Sequence, residues 1–182
     1  YLKAIPKMFG HELALTVALP ERFPELFPSV LAVDPDRNWM LVDGVGEHDL
    51  SHYDDIETWR AALRAYSGLQ IELAGRTEWL FGLGCPDRRL DRLAETLDSL
   101  LADTRAMLPG TPWGLTNTEI DSLRNRAGEF KAACRALSDY SVPYSLEHGD
   151  FGYWQVIVSN GQSRFIDWSG SSVSHPFFSL WF

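Results

Sequence analysis

Cysteine is scarce in this sequence, which contains only Cys85 and Cys134. The two lie far apart and in no spacing typical of metal ligands, so we expect neither a structural zinc site nor a disulfide framework. They are predicted to be reduced, buried thiols of a cytoplasmic protein. Long apolar runs are also missing: none approaches the roughly 20 residues that span a bilayer, so no membrane segment is expected.

Positive charge is limited as well. The 182 residues include 16 Lys and Arg against 25 Asp and Glu, for a formal net charge of −9, and no segment clusters basic residues. Because nucleic-acid-binding surfaces neutralise phosphates with Lys and Arg, we expect no nucleic-acid partner. The hydrophobic fraction of 45% is nevertheless ample for a packed core, which argues against a largely disordered chain.

Both ends of the sequence have the composition of buried structure. The stretch Tyr1-Leu2-Lys3 resembles the middle of a strand and has no initiator Met, and the apolar run 177–182 requires burial. We therefore expect the chain to be a fragment of a longer protein.

The first part of the chain alternates strand and helix patterns. Residues 1–5 predict a short strand, and a helix predicted over about 9–19 ends at Pro20. Two more strands are predicted at 29–33 and 39–42, joined by turn-forming Pro, Asp and Asn residues.

A glycine-containing step at 44–46 marks a flexible boundary, after which the pattern is helical from about 53 to 140. Apolar residues recur there at three- and four-residue spacing in three stripes, each predicted to be the buried face of one helix. The stripes comprise Ile56, Trp59, Leu63, Tyr66, Leu69 and Leu73; then Leu90, Leu93, Leu97, Leu100 and Leu101; then Ile120, Leu123, Ala127, Phe130, Cys134 and Leu137. Thr116-x-x-Glu119 opens the third helix as a capping box.

The remainder of the chain predicts a β-hairpin. Asn160-Gly161 separates the apolar runs 156–158 and 164–166, and this dipeptide is a strong hairpin signal because both of its residues tolerate positive φ. Centring a two-residue turn there brings Gln155 and Asp167 out at the same open end of the hairpin.

These two side chains offer oxygen atoms to a hard cation. Mg²⁺ in proteins is typically held by one or two such ligands together with water and phosphate. Asp150 supplies a free carboxylate only five residues before Gln155, and it could orient or deprotonate an attacking hydroxyl. Positioning, charge neutralisation by a metal and a base near the nucleophile are what phosphoryl transfer requires.

The same residues carry a resemblance to a known family. His148-Gly149-Asp150, followed by Phe165-Ile166-Asp167-Trp168 at the end of a hairpin, resembles the catalytic signature of the aminoglycoside phosphotransferase and choline kinase-like family. The likeness continues through 168–178, and softer matches at 1–15 and 39–43 extend it over nearly the whole chain. The family has a protein kinase-like fold, so the resemblance implies that fold here.

The resemblance also implies roles for the residues near the hairpin. Asp150 would be the catalytic base or the residue that orients the hydroxyl, and His148 would support the catalytic loop. Asp167 would be the principal Mg²⁺ ligand, and Gln155 would occupy the second metal-ligand position.

Roles for the beginning of the chain follow from the resemblance in the same way. Lys3, on the first strand, would hold the α- and β-phosphates of the nucleotide, and Glu12 on the following helix would orient it. The strand at 39–43 resembles the one that leads into the adenine-binding hinge, which places Asp43 at the nucleotide. The glycine-rich loop strands would precede Tyr1, and further helices would follow Phe182.

Three positions depart from the family pattern. Gln155 stands where the family has Asn, and Gly170 and Ser179 fall where relatives often carry Asp. A pseudo-kinase, or a nucleotide-binding or interaction protein with a weakened metal site, is therefore the alternative. A metal-dependent hydrolase ranks below both, because the sequence has neither a nucleophile–base pair nor a metal-ligating His cluster.

Simpler interpretations also exist for single residues. His148-Gly149-Asp150 alone is typical of a turn, and Asp167 alone of a helix N-cap. Lys3 and Glu12 could each face solvent. The other notable polar residues are expected to be structural or solvent-exposed, with the acidic ones forming a solvated rim or a cap, or attracting a cationic substrate: His48, His52, His175, Asp43, Glu47, Asp49, Asp54 and Asp55.

Together these patterns predict an α+β, protein kinase-like, two-lobed fold. A partial small lobe is expected at 1–43, a hinge at 44–50 and a mainly helical large lobe at 51–182. The expected activity is Mg²⁺-dependent transfer of the γ-phosphoryl group of ATP or GTP to a hydroxyl of a small molecule. No membrane or nucleic-acid partner is expected.

Overall fold

A computed structural model of the chain describes residues 1–44, 46 and 48–179. Val45 and Glu47, which belong to the predicted hinge, lie outside the described residues, and so does the end of the predicted apolar run, at 180–182. The described residues form a mixed α+β fold. Contacts divide it into two compact units, Tyr1–Pro86 together with the chain from Pro143 onward, and Asp87–Val142.

The helices and strands follow the predicted order closely. Those of the first unit, in chain order, are β1 Leu2–Ala4, α1 His11–Ala18, β2 Val30–Asp34, β3 Trp39–Val42, α2 Ile56–Leu73, α3 Thr77–Gly82, β4 Ser145–Glu147, β5 Val156–Ser159, β6 Gln162–Phe165 and β7 Ser172–Ser174. The second unit contains α4 Leu90–Ala102 and α5 Asn117–Ser138. Helix α3 and strands β4 and β7 were not predicted, since six residues and three residues are too few for a periodic pattern to show.

The first three strands form an antiparallel sheet in the order β1-β3-β2. Lys3 on β1 lies opposite Met40 on β3, so both side chains point to the same face of the sheet. The predicted turn between β2 and β3 is present. Asn38 takes a φ of 59° there, and the backbone N–H of Arg37 donates to Asp34 Oδ1 at 3.0 Å.

Helix α1 buries one face, which carries His11, Glu12, Leu15 and Thr16. The spacing of these residues groups them on one side of an α-helix, and Leu15 is fully buried. Glu12 is thereby brought into the interior on the first turn, so the solvated alternative for this residue is wrong.

Helix α2 begins at the N-cap Asp55, whose carboxylate accepts from the backbone N–H of Thr58 at 2.8 Å. Its buried face is rotated relative to the predicted stripe and carries Ala62, Tyr66, Leu69, Gln70 and Leu73. The prediction that Ile56 and Leu63 are buried is wrong, because they are 61% and 39% exposed. The stripe identified the helix but included apolar residues at its margin.

The predicted hairpin is confirmed as β5–β6. Val156 pairs with Phe165, as a two-residue turn at Asn160-Gly161 requires, and the turn residues have φ of 52° and 74°. Beyond the last ladder pair, the backbone N–H of Ile166 donates to the carbonyl of Gln155 at 3.1 Å. Strands β4 and β7 form a separate antiparallel pair next to this hairpin in the sequence.

The first unit has a continuous hydrophobic core to which α1, α2, α3 and the hairpin contribute. Its fully buried members are Leu15, Leu19, Leu73, Leu80, Leu146, Phe165 and Val173. Phe27 stacks on Trp168 with ring centroids 5.3 Å apart, which joins the segment after α1 to the residue that follows Asp167. This core is the rigid support of the site described below.

The second unit is a helix pair with a small core of Leu101, Met107 and Ile120. The capping box predicted at Thr116 and Glu119 is confirmed, with each side chain bonded to the backbone of the other residue. The prediction that Leu123 and Phe130 are buried is wrong, because both are exposed. In none of the described helices, of either unit, is there an apolar stretch long enough to cross a membrane.

Candidate functional site

A cleft of about 410 Å³ lies between the N-terminal sheet, α1 and the hairpin, all within the first unit. Its lining residues are Tyr1, Lys3, Glu12, Thr16, Pro28, Met40, Val42, Asp43, Gly46, Gln155, Ile157, Phe165, Ile166, Asp167 and Trp168. Five of the seven predicted site residues are among them. The other two, His148 and Asp150, are joined to the lining by hydrogen bonds.

Lys3 is the polar centre of the cleft. Its ammonium group donates to Glu12 Oε1 at 2.5 Å and to Asp167 Oδ1 at 2.8 Å. The pairing of Lys3 with Glu12, predicted from positions only nine residues apart, is present in the structure. The contact with Asp167 was not predicted, since the two residues are separated by 164 positions in the sequence.

The pKa values of these three side chains are shifted in different directions. Burial would lower the pKa of Lys3, but its hydrogen bonds to Asp167 and Glu12 outweigh burial and raise it. Burial would raise the pKa of Asp167, but Lys3 outweighs it and the pKa is lowered. Glu12 is more deeply buried, and for it burial wins, so its pKa is raised. Lys3 and Asp167 are therefore fully charged at neutral pH.

Asp167 is held in an uncommon backbone conformation. Its φ and ψ of 61° and 63° are left-handed, a region that Asp and Asn tolerate better than most residues. The hydroxyl of Ser169 donates to the same Oδ1 that Lys3 contacts, at 3.0 Å. Among the described residues no hydrogen bond is made to Oδ2, which leaves this oxygen for another ligand.

A close approach of two glycines shapes the loop before the hairpin. Gly149 has a φ of +81°, and a Cβ there would lie 2.1 Å from the carbonyl oxygen of Gly170. A Cβ at Gly170 would in turn lie 3.2 Å from the carbonyl oxygen of His148. The absence of a side chain at position 170, a departure from the family pattern, therefore matches the local packing of this chain.

His148 is fully buried beneath this loop and exposes no polar atom to the cleft. Its Nε2 lies 2.9 Å from the carbonyl oxygen of Ile166, to which it donates as the Nε2–H tautomer. The side chain thus ties the loop that carries Asp150 to the residue before Asp167.

Asp150 is exposed and lies beside Gln155. The amide Nε2 of Gln155 donates to Asp150 Oδ2 at 3.2 Å, and the Gln155 side chain is otherwise buried. With its nitrogen turned to Asp150, Gln155 has its Oε1 available as an acceptor.

The donor set suits a hard divalent cation better than a soft one. Asp167 Oδ2 and Gln155 Oε1 are oxygen atoms on two residues that line the same cleft. Mg²⁺ is held in proteins by few such ligands, with water and phosphate completing its shell. Within the part of the chain that is described, three or more His, Cys, Asp or Glu residues nowhere come together as a metal-binding group. The two oxygen ligands offered by Asp167 and Gln155 are as many as a Mg²⁺ site often takes from protein side chains, so these residues fit this ion.

The remaining predicted residues have more local roles. Asp43 lines the cleft and accepts from the backbone N–H of Gly44 at 2.8 Å. Asp49 caps a short helical turn and Asp55 caps α2, so these two carboxylates already have backbone partners. His48 and His52 are exposed and lie with ring centroids 4.8 Å apart.

The apolar wall of the cleft and Thr16 were not predicted from the sequence. Met40 and Val42 alternate along β3 toward the cleft, a period-two signal that could have been noticed. Ile157 comes from the predicted hairpin in the same way. Thr16 lies one turn after Glu12, and only the assembled fold shows that it faces the cleft.

Two buried histidines predict a pH dependence of stability. Burial lowers the pKa of His148 and of His175 below the ordinary 6.5. As the pH falls through 6.5 the unfolded chain binds protons that the folded chain does not, so the free energy of unfolding decreases. Between about pH 7.5 and 5.5 we therefore expect the free energy of unfolding to decrease.

Urea unfolding at the two pH values measures this loss. His175→Gln should reduce the difference, because it removes one of the two buried histidines. An equal pH dependence in wild type and His175→Gln would show that His175 titrates normally in the folded state.

Comparison with known proteins adds no family to this description. No protein-family model matches the chain, and no curated protein matches it either. What can be said of function therefore comes from the site residues themselves.

Proposed function

We propose that the cleft binds a nucleoside triphosphate with Mg²⁺ and transfers its γ-phosphoryl group to a hydroxyl of a small molecule. The observation that carries the proposal is the Lys3–Glu12–Asp167 arrangement at the base of the cleft, next to the exposed carboxylate of Asp150. It combines a fixed cation and a carboxylate that could bind a metal within the cleft, and a base that a hydrogen bond joins to the lining residue Gln155. Phosphoryl transfer depends on these three elements.

The two halves of the cleft match the two halves of a nucleotide. Met40, Val42 and Ile157 provide apolar walls of the kind that enclose a purine ring. The ammonium of Lys3, held in place by Glu12, would pair with the phosphates. Its buried partner keeps the side chain in one position, so little conformational entropy is lost when an anion binds.

Asp167 and Gln155 would hold the Mg²⁺. When bound, the ion supplies neutralisation of charge on the phosphates. Asp167 is kept ionised by Lys3, and the left-handed turn and Ser169 fix its orientation. The substrate hydroxyl would donate its hydrogen bond to Asp150, whose position is set by Gln155 and by the loop above His148.

A second candidate is nucleotide binding without efficient turnover. It is favoured by the engagement of Asp167 Oδ1 with Lys3, which leaves only the second carboxylate oxygen of Asp167 open to a metal. In this case the protein would bind ATP or GTP through Lys3 and the apolar walls and act through the complex that it forms.

Isothermal titration of the protein with ATP and with GTP, each with and without Mg²⁺, tests the shared premise of both candidates. We expect at least one nucleotide to bind, and Mg²⁺ to strengthen its binding. Equal binding with and without Mg²⁺ would favour the second candidate. No binding of either nucleotide would overturn the assignment of the cleft.

Gln155→Asn tests whether the contact with Asp150 matters. Asn is one methylene shorter and would lose the 3.2 Å hydrogen bond. We expect turnover to fall by about tenfold, in line with the loss of one hydrogen bond to a charged group. Steady-state kinetics of both proteins give the answer. Turnover equal to or above wild type would mean that Gln155 serves only as a lengthened metal ligand.

A further inference from the structure

A chain of buried hydrogen bonds runs behind the loop that carries Asp150. The backbone N–H of His148 lies 3.1 Å from the hydroxyl of Tyr66, which lies 2.6 Å from the hydroxyl of Ser179. Ser179 in turn lies 2.6 Å from Glu147 Oε1. All four residues are buried, and Glu147 is only 4% exposed. No cationic side chain pairs with this carboxylate among the described residues.

The direction of the chain follows from what each group can donate. A carboxylate only accepts, so the hydroxyl of Ser179 donates to Glu147. The oxygen of Ser179 is then open to the hydroxyl of Tyr66, and the oxygen of Tyr66 accepts from His148. Burial raises the pKa of Tyr66, which keeps the phenol protonated and able to donate. Hydrogen bonds aligned in this way polarise one another in a low-dielectric interior.

Tyr66 contacts the loop on both sides of Asp150. Besides accepting from His148, two residues before Asp150, it stacks on Phe151, the residue that follows. The two rings are nearly parallel, with centroids 3.9 Å apart and planes inclined by 15°. One side chain of α2 therefore holds the backbone before Asp150 and the ring after it.

Gln70, one turn further along α2, fixes Tyr66 and its surroundings. Its Nε2 donates to the carbonyl oxygen of Pro176 at 3.0 Å and lies 3.3 Å from that of Leu146. It also lies 3.4 Å from the hydroxyl of Tyr66. The segment after β7 and the strand before the loop are thereby joined to α2 at one point.

We propose that Tyr66, Ser179 and Glu147 are positioning residues that set the conformation of the 148–151 loop and thereby the placement of Asp150. Glu147 accepts a hydrogen bond from Ser179 at one end of the network. Ser179 contacts the hydroxyl of Tyr66, and this hydroxyl accepts from the backbone N–H of His148 at the other end. The proposal rests on the assignment of Asp150 in the proposed function. In this protein Ser179 therefore takes part in the hydrogen-bond network, although it stands where the relatives often carry Asp.

Tyr66→Phe removes the hydroxyl but keeps the ring that stacks on Phe151. We expect kcat to fall by about tenfold or more, because the buried N–H of His148 loses its acceptor and the loop samples other conformations. KM for the nucleotide should stay within about twofold, since Tyr66 does not line the cleft. The hydrogen-exchange rate of the His148 backbone amide should increase, by a factor similar to the decrease in kcat.

Tyr53→Phe is the matched control. The hydroxyl of Tyr53 also donates inside the first unit, to the carbonyl oxygen of Val158 at 3.3 Å, but it makes no contact with the loop. Removing it should leave kcat and the exchange rate at His148 unchanged. Ser179→Ala repeats the test from the middle of the chain, and it serves alone if Tyr66→Phe does not fold.

The double variant Tyr66→Phe/Ser179→Ala separates a common network from two independent effects. Residues that act through one chain are not additive, so its kcat should be close to that of the worse single variant. If the fold-decrease in kcat of the double variant equalled the product of the two single decreases, the network would be overturned. An unchanged exchange rate at His148, or an unchanged kcat, in Tyr66→Phe would overturn it as well. The exchange measurement needs no turnover. A wild-type protein without turnover would therefore overturn the proposed function, while exchange at His148 still decides whether the chain holds the loop.

Discussion

Asp150→Asn is expected to reduce turnover by about 10²- to 10⁴-fold, the usual contribution of a general base. The variant keeps the shape of the side chain and an oxygen that can accept the hydrogen bond from Gln155. It removes only the negative charge that attracts the proton of the substrate hydroxyl. Nucleotide affinity should remain within about twofold, because Asp150 does not line the cleft where the nucleotide is proposed to bind.

Kinetics with saturating nucleotide, paired with a binding titration, measure the two effects separately. Asp121→Asn, at an exposed aspartate of α5, is the control and should behave as wild type. Normal turnover by Asp150→Asn would contradict the role assigned to this residue. Loss of nucleotide binding together with turnover would instead point to a structural effect of the substitution.

Asp167→Asn is expected to abolish the strengthening of nucleotide binding by Mg²⁺ and to lower turnover by about 100-fold or more. Asn suits this position because it tolerates the left-handed backbone that Asp167 adopts, with φ of 61°. Ala would add backbone strain to the loss of the ligand, and so it is a poorer test. The ammonium of Lys3 keeps Glu12 as its partner in the variant.

Titration of the variant with ATP at increasing Mg²⁺ concentration tests this prediction. Asp34→Asn is a matched control, because Asp34 is also ion-paired, with Arg37 at 2.7 Å, but lies at an exposed turn. It should retain the full Mg²⁺ dependence. If Asp167→Asn also retained it, the metal would have to be held by other residues.

The parts of this site that could be predicted from the sequence are those set by local rules. Asn160-Gly161 determines the turn, the turn determines the register of β5 and β6, and the register brings Gln155 and Asp167 to one end. The capping box of α5 is local in the same sense. For such features a few neighbouring residues contain all the required information.

The parts that could not be predicted depend on contacts between distant segments. The ion pair between Lys3 and Asp167, and the chain from His148 through Tyr66 to Ser179, join residues that no periodicity relates. Tyr66 was predicted only as one member of an apolar stripe. Its hydroxyl contacts His148 and Ser179 only because the loop and the segment after β7 pack against α2.

Dependence on distant contacts also explains why the predicted apolar stripes differ from the buried faces of the helices. Periodicity located α2 and α5 but not the extent of their buried faces, since the edge of a stripe is decided by what packs against it. Ile56 and Phe130 are apolar and lie in the predicted stripes, yet both are exposed. The number of apolar residues in a stripe therefore overestimates burial on these helices.

The most direct test of the central claim is to incubate the protein with ATP or GTP, Mg²⁺ and a panel of hydroxyl-bearing amines and sugars, and to follow the products by ³¹P NMR. We expect one class of compound to stimulate Mg²⁺-dependent formation of nucleoside diphosphate and of a new phosphate monoester. Stimulation should be lost in Asp150→Asn. Failure of both ATP and GTP to bind, or a phosphate monoester formed equally well by Asp150→Asn, would contradict the proposed function.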